Sequence, residues 1–446
     1  MNILSQRYLP LTVYTSYTFF ILMSLFLGPI TYEGMNIIVL TSFITVHFTL
    51  FFLGYVVGAR GRFREVWSCS DARSNSYQRI GKFLGLLIVL GVISSLLQWL
   101  QFMFSDNNLN IGGIGQSYVE GYDGYERGKA RIDLFYIVDI LGQALITLVL
   151  LFSFYYFRVL SPAGKLACIF VVTTYLVVNV IGTGKQKYLG DVVVYAFFSA
   201  LLGRVIIGKK FKIKTIVLVV ALSCIVLFLF LEIFRQRYVA AGINIENIVE
   251  KAHPLVSWNV DSPLFNLVGP EYALAVGVFL GYFTNGLYGL YLSLTLPFEW
   301  TYFVGNSYSL GRVFEIIFSS PGYILEKTYP YRVGVTYGWG FDKWHSLFAW
   351  LASDLTFPGV LVLSSLFAFV YARLWIQAVR SSNPFSGPLF LYLSLGLIFS
   401  YSNNQLMHGL SGVIVLAVLS VGWLGSSNRV TYPKIPITVH SHNDNS

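Results

Sequence analysis

The chain reads as an all-α polytopic membrane protein, and three observations carry that reading. Apolar types make up 55% of its 446 residues and charged types only 11%, less than half the charged share of about 25% in soluble domains. The mean hydropathy is +0.65, too much apolar surface for water alone to solvate. The apolar residues also gather into runs of about 20, the length that crosses a bilayer as helix. About ten such runs stand out, at 11–30, 36–58, 83–104, 134–157, 166–183, 188–207, 215–234, 359–377, 388–405 and 409–426. Two further stretches, near 272–296 and 346–358, are apolar but interrupted by Gly, Pro, Thr or Asn. This composition excludes a cytosolic enzyme, a disordered chain and a disulfide scaffold.

Each element follows from local residues. Residues 1–10 lack a basic start and a small-residue cleavage site, so 11–30 is expected to be the first membrane helix. Lys and Arg then set the orientation. With the N-terminus inside, 18 of the 30 bases fall on the cytoplasmic side, against three acids, Glu65, Asp71 and Asp444. The basic loops 60–82 and 208–214 anchor to the membrane surface in this arrangement; nothing indicates nucleic-acid binding. The tail 428–446 is expected to be a disordered cytoplasmic end. Cys69, Cys168 and Cys224 are too scattered for a disulfide frame or a metal site. The 1–446 chain is thus expected to form a single integral membrane domain.

Two outer segments exceed what a connector needs. One is 105–133; the other is a large extracytoplasmic loop, 235–358, expected to hold short helices at the interface. Its stretch YFTNGLYGLYLSLTLPFEWTYFVGNSYSLG is rich in Tyr, Gly, Asn and Thr, which suits the membrane interface and also carbohydrate. Tyr282, Asn285, Trp339 and Asp342 are candidate glycan-binding residues. The outer bases run against the charge bias, so they invite a reason. Arg235 and Arg237 mark the exit of the seventh span, Lys185 and Lys187 an outer turn, Arg127, Lys129 and Arg131 the approach to the fourth span, and Arg312, Arg332 and Lys343 the large loop. Guanidinium forks and ammonium groups suit phosphate oxygens. Arg235, Arg237, Arg312, Arg332 and Lys185 are therefore candidate diphosphate ligands. His345, His253 and Asp354 are candidate catalytic bases for a sugar hydroxyl. Asp139, Glu232 and His47, in or near spans, read as inter-helix hydrogen-bond partners. Asn403, Asn404, Gln405 and His408 form a polar cap between the last two spans. No His spacing matches a metal site, and no cofactor is expected.

Three features resemble the O-antigen polymerases, the Wzy family of oligosaccharide repeat-unit polymerases. They are the Gly182-Thr183-Gly184-Lys185 turn, the R-x-R exit at Arg235 and Arg237 with its YFTNGLYGL-containing loop, and LFAWLASDLTFPG at the loop's end. Together they cover about residues 115–360. The family pattern usually sets an aromatic beside the acid; here Ser353 and Leu355 flank Asp354. The resemblance implies a multi-pass glycosyltransferase of the C-type class in a bacterial inner membrane, with cytoplasmic termini and a periplasmic active site. Its substrates would be undecaprenyl-diphosphate-linked oligosaccharides, joined into surface polysaccharide for lipopolysaccharide biosynthesis. Its partners would include membrane lipid, a flippase and a chain-length regulator. Four other readings compete. They are an O-antigen ligase acting on lipid A core, a lipid-linked glycan transporter, a polyprenyl-phosphate sugar transferase and a membrane O-acyltransferase. The last two are poorly served, since the first outer loop holds only Glu33 and His47 has no evident partner.

Overall fold

The computed structural model describes residues 6–60, 69–104, 113–118, 134–208 and 213–427. Arg127, Lys129 and Arg131, most of 105–133 and the tail 428–446 lie outside them. Helices α1 (Leu9–Leu27), α2 (Ile37–Ala59), α3 (Cys69–Met103), α4 (Leu134–Tyr156) and α5 (Pro162–Leu176) come first. A π-helical turn, Val177–Ile181, continues α5. Then follow α6 (Lys187–Ile207), α7 (Ile213–Ala240), α8 (Pro270–Leu294), α9 (Tyr308–Ile317), α10 (Tyr329–Tyr337), α11 (Leu347–Arg380), α12 (Ser386–Phe399) and α13 (Leu410–Ser427). Strands β1 (Ile30–Tyr32) and β2 (Val256–Trp258) pair antiparallel, with Thr31 opposite Ser257. The protein is therefore a mostly helical, polytopic membrane protein. Among the described residues, eight helices are long and apolar enough to cross a bilayer, while α12 and α13 are apolar but shorter.

The tightest packing joins α2 to α11. A Cβ at Gly54 would lie 2.1 Å from the Ser365 carbonyl oxygen, and one at Gly58 would lie 2.4 Å from that of Phe369. Only glycine lets the two backbones approach so closely. This is how helices associate where lipid supplies no hydrophobic drive between them. Phe43 meets Phe357, and Tyr55 meets Tyr371, so α2 and α11 run parallel. A buried polar knot pins the same helices to α1. His47 Nε2 meets the Tyr14 hydroxyl and its Nδ1 the Ser364 hydroxyl, both at 3.0 Å, and Tyr14 and Thr18 both reach the Tyr401 hydroxyl at 3.1 Å. His47 is an inter-helix hydrogen-bond partner, as a polar group inside a bundle must be.

Hydrogen bonds sort the connections into two ends. Tyr55 bonds the Arg7 carbonyl, Trp375 the Gln6 carbonyl, Tyr156 the Pro384 carbonyl and Asn383 the Trp423 carbonyl, so these mark one end. At the other end, Leu347 bonds the Ser400 carbonyl, Tyr288 the Glu33 carbonyl, and Arg237 the Gln186 side chain. Among the described residues, 113–118 and the long 241–346 segment gather there.

Two stretches left ambiguous by sequence are now clear. The 272–296 stretch is α8, two-thirds of it buried. Its first turn puts Tyr272 on Glu232 of α7, and its last turn puts Tyr291 on the Gly34 carbonyl. Both of its ends therefore meet the loop-bearing end of the bundle. The 346–358 stretch is the first part of α11, which breaks at Thr356 (φ 62°, ψ 164°) just before Pro358. A proline there removes an amide donor and crowds the preceding turn. The piece after the break, 357–380, spans ~36 Å at ~1.5 Å per residue, enough to cross a ~30 Å core by itself. The expected 388–405 run is corrected: helix α12 stops at Phe399, and 400–409 form turns capped by Asn403 and Asn404 side chains.

Because the α2–α11 contact has no room for a methyl group, Gly54→Ala and Gly58→Ala should each cost about 1–3 kcal/mol by overpacking. Gly203, whose Cβ position is open, should accept alanine. Thermal unfolding of the three variants in one detergent checks this ranking.

Candidate functional site

The loop-bearing end is assembled around Arg237, in the last turn of α7. Its Nη1 donates to Gln186 Oε1 at 2.8 Å, inside the GTGKQK turn. Its Cζ stacks 3.4 Å from the centre of the Tyr118 ring, a cation–π contact across elements. Glycines bring the backbones together here. Gly184 adopts φ +66° against Ile114 and Tyr118, and a Cβ at Gly115 would meet the Gln236 carbonyl at 2.2 Å. Tyr282 of α8 completes the wall, between Phe234 (5.1 Å) and Trp344 (4.6 Å). Arg237 Nε is buried without a hydrogen-bond partner, an unused donor in a half-buried guanidinium. Lys185 and Lys187 flank Gln186 in the same turn. The structure thus joins Arg237, Gln186 and Tyr282 from three of the quoted segments.

The other three arginines do not join them. Arg235 is held by Glu232 through Nε (2.8 Å) and Nη2 (2.7 Å), and lines a cavity of about 320 Å³ with Glu246 and Glu271. Arg332 pairs with Glu299 at 3.1 Å and donates to the Pro297 carbonyl. It lines a different cavity, about 680 Å³. Arg312 lies beside Glu315 at 3.8 Å, its side chain 53% exposed. Neither cavity includes Arg237 or Arg312. The expectation of four guanidinium groups around one diphosphate is corrected accordingly, since a nearby acid already claims each of these three charges.

The candidate bases are mostly engaged. His253 Nε2 meets the Gly338 carbonyl, and its Nδ1 accepts from the Leu255 amide. Asp354 is 5% exposed. Its carboxylate accepts from the Asn306 amide (2.8 Å), Asn306 Nδ2 (2.7 Å), the Gly305 amide and the Thr301 hydroxyl. It clasps the 301–306 turn, where Tyr302 and Phe303 both take positive φ (56° and 64°), a strained conformation for aromatic residues. His345 is buried, with Nε2 facing the carbonyls of Trp339 (3.1 Å) and Gly340 (3.0 Å). Nε2 must then carry the hydrogen, leaving Nδ1 as an acceptor with no partner, pressed against Gly289. Burial pushes its pKa down to about 4.

The candidate glycan residues separate. Trp339 is 1% exposed and wedged between Tyr288 and His253, so no ring face is open to a sugar. Asn285 accepts from the Tyr32 hydroxyl at 2.6 Å. Asp342 is exposed and paired with Lys343 at 2.9 Å. Sequence reasoning passed over a better surface. The 680 Å³ cleft is lined by Glu299, Tyr323, Glu326, Lys327, Tyr331 and Arg332 among others. Trp300, Tyr302 and Phe303 stand exposed beside it, with Tyr302 stacked on Tyr323. Carboxylates, cations and open rings together suit a hydroxylated ligand. The WTYF run was a signal for the rings, but the fold of the turn that presents them was not legible. Among the described residues, no cluster of His, Cys, Asp and Glu could hold a metal ion.

No family model, no curated protein and no solved structure matches the chain.

Two outcomes follow. Neutral His345 stabilises the folded state above pH ~6.5, and that contribution is lost as pH falls from 6.5 through about 4, an effect of roughly 3 kcal/mol. Unfolding midpoints measured from pH 7 to 4 should fall less steeply in His345→Asn than in the parent. For Asp354→Asn, an amide would turn donors toward donors and release the 301–306 turn. Limited proteolysis should then cut near Trp300–Asn306 at least several-fold faster, with unchanged rates elsewhere.

Proposed function

We propose that this chain is a repeat-unit polymerase, a membrane glycosyltransferase that extends a glycan carried on undecaprenyl diphosphate. The observation that supports this reading is the position of Arg237. It draws the GTGKQK turn, the first outer segment and α8 to one point, and it keeps an unpartnered donor there. In the reaction, an acceptor hydroxyl attacks the anomeric carbon of the donor's reducing-end sugar. Its proton passes to a carboxylate or to water. The bond to the diphosphate breaks, and the diphosphate leaves with the electron pair. Negative charge grows on the leaving group, so a preplaced guanidinium lowers the barrier. Arg237 supplies it, with Lys187 of the GTGKQK turn adding field. The Glu299–Arg332 cleft, with its exposed aromatic rim, takes the growing glycan. In this reading the end with the long connections faces the periplasm of a bacterial inner membrane, as the charge bias favours.

Two rivals fit less well. A ligase reading draws on a histidine at the site, yet both nitrogens of His253 are bonded and the free nitrogen of His345 faces Gly289. A transporter reading draws on the break at Thr356, since transporters place broken helices at the bilayer midplane. Here the helix beyond the break is long enough to cross alone, which puts the break at the membrane's edge.

The test is a surface-polysaccharide length ladder from a strain lacking the gene, complemented with variants at matched protein level. Arg237→Ala should reduce polymer by about 10²–10³-fold, the scale of losing one transition-state donor, and leave core bearing a single repeat unit. Arg312→Ala should give the normal ladder. A full ladder from Arg237→Ala would remove the proposal; bare core in the gene-deleted strain would favour ligation.

A further inference from the structure

A second polar cavity lies among α3, α4 and the end of α5, and shares the GTGKQK turn with the arginine site. It measures about 240 Å³ and is lined by Gln98, Gln101, Asp139, Gln143, Asn179 and Thr183, with Phe102 and Val178. Four carboxamides, a carboxylate and a hydroxyl gather at the loop-bearing ends of these spans. Polar groups persist there when they serve a purpose. Several are only partly satisfied from within. Gln143 bonds Asp139, one turn away, and Asn179 donates to the Tyr175 carbonyl at 3.0 Å. Gln98 is only 7% exposed, yet its Oε1 has no hydrogen-bond partner. A buried orphan acceptor costs about 1–3 kcal/mol, and a hydroxyl donor entering the cavity would relieve it. Asn179 also sits in the π-helical turn, and such bulges are frequent at functional sites.

The chemistry defines that occupant. Carboxamides present donors and acceptors side by side, which matches a ring of hydroxyl groups. Lys185, at the adjacent turn, is near enough to Asp139 to interact electrostatically, so the opposed charges offset each other and no strong ion is called for. The volume falls below the ~300–1,000 Å³ of drug-sized pockets, room for one small group and not a chain. The surrounding helix faces are apolar and exposed: Leu97, Leu100 and Met103 on α3, Ile137, Val138 and Leu141 on α4. An occupant arriving between such faces comes through lipid.

We infer that this cavity binds a single sugar ring carried on a lipid anchor, entering sideways from the bilayer. This requires no transfer reaction, so its failure and that of the polymerase reading are separable.

The experiment uses the full chain in phosphatidylcholine nanodiscs. Native mass spectrometry counts retained monoglucosyl- and monogalactosyl-diacylglycerol, with sugar-free diacylglycerol and soluble glucose and galactose as separate arms. At least one glycolipid should be retained at least tenfold over diacylglycerol. Gln98→Leu and Asn179→Leu should both reduce that excess to the diacylglycerol level. Gln98→Leu should also leave the unfolding midpoint unchanged or raised, because it removes an orphaned amide, whereas a purely structural glutamine would lower it. Equal retention of glycolipids and diacylglycerol, undiminished retention in both variants, or equally tight binding of the free sugars would overturn the inference.

Discussion

The contact between α2 and α11 constrains the rest of the molecule. In lipid, two helices gain little by hiding apolar side chains from each other, so close backbone approach and buried hydrogen bonds must hold them. Gly54 and Gly58 provide the approach, and His47 provides the hydrogen bonds through Tyr14 and Ser364. Together they fix α11 parallel to α2. With that direction set, the chain between α7 and α11 must leave and return at the same end. The long 241–346 segment is thereby confined there with the turns 28–36, 182–186 and 400–409.

Confinement explains how a loop so rich in aromatics keeps a defined shape. It is tied down by buried polar groups as well as by a buried apolar cluster of Phe234, Ile248, Leu274 and Val278. Asp354, on the short piece of α11 before the break, holds the 301–306 turn with four hydrogen bonds. Asn404 reaches the Asn306 carbonyl and fastens the same turn to the connection before α13. Glu315 receives the amides of Ile324 and Leu325. Asp354, a candidate base by sequence, acts here as a fastener, and Glu315 does the same. That choice fits the physics of a membrane margin, where an ionised group is affordable only when donors surround it.

Much of this was legible in the residues, for physical reasons. Runs of apolar side chains announce spans because a lipid-crossing helix has few alternatives. Of Asp139, Glu232 and His47, expected to bond between helices, His47 and Glu232 do, Glu232 through Tyr272, whereas Asp139 bonds Gln143 of its own helix. The pairing of Arg235 with Glu232 and of Arg312 with Glu315 was latent in their i, i+3 spacing, but positive charge on the disfavoured side drew attention first. Other features left no local trace. Arg332 meets Glu299 across 33 positions, and Trp339 is buried by Tyr288 and His253 from distant segments. The break at Thr356 and the placement of both ends of α8 at the loop-bearing end were hidden because Gly and Pro inside an apolar run signal interruption without saying where the chain goes next. The polar stripe of Gln98 and Gln101 was present inside a run counted simply as a span.

The central claim is that one guanidinium, Arg237, and not a ring of four, grips the lipid diphosphate. The most direct measurement is the affinity of undecaprenyl diphosphate for the purified protein in nanodiscs, compared between Arg237→Ala and the combined Arg235→Ala, Arg312→Ala, Arg332→Ala variant. The account predicts that the single substitution weakens binding at least tenfold while the triple one leaves it within a few-fold of the parent. The reverse order, with the triple variant losing the lipid and Arg237→Ala retaining it, would contradict the account.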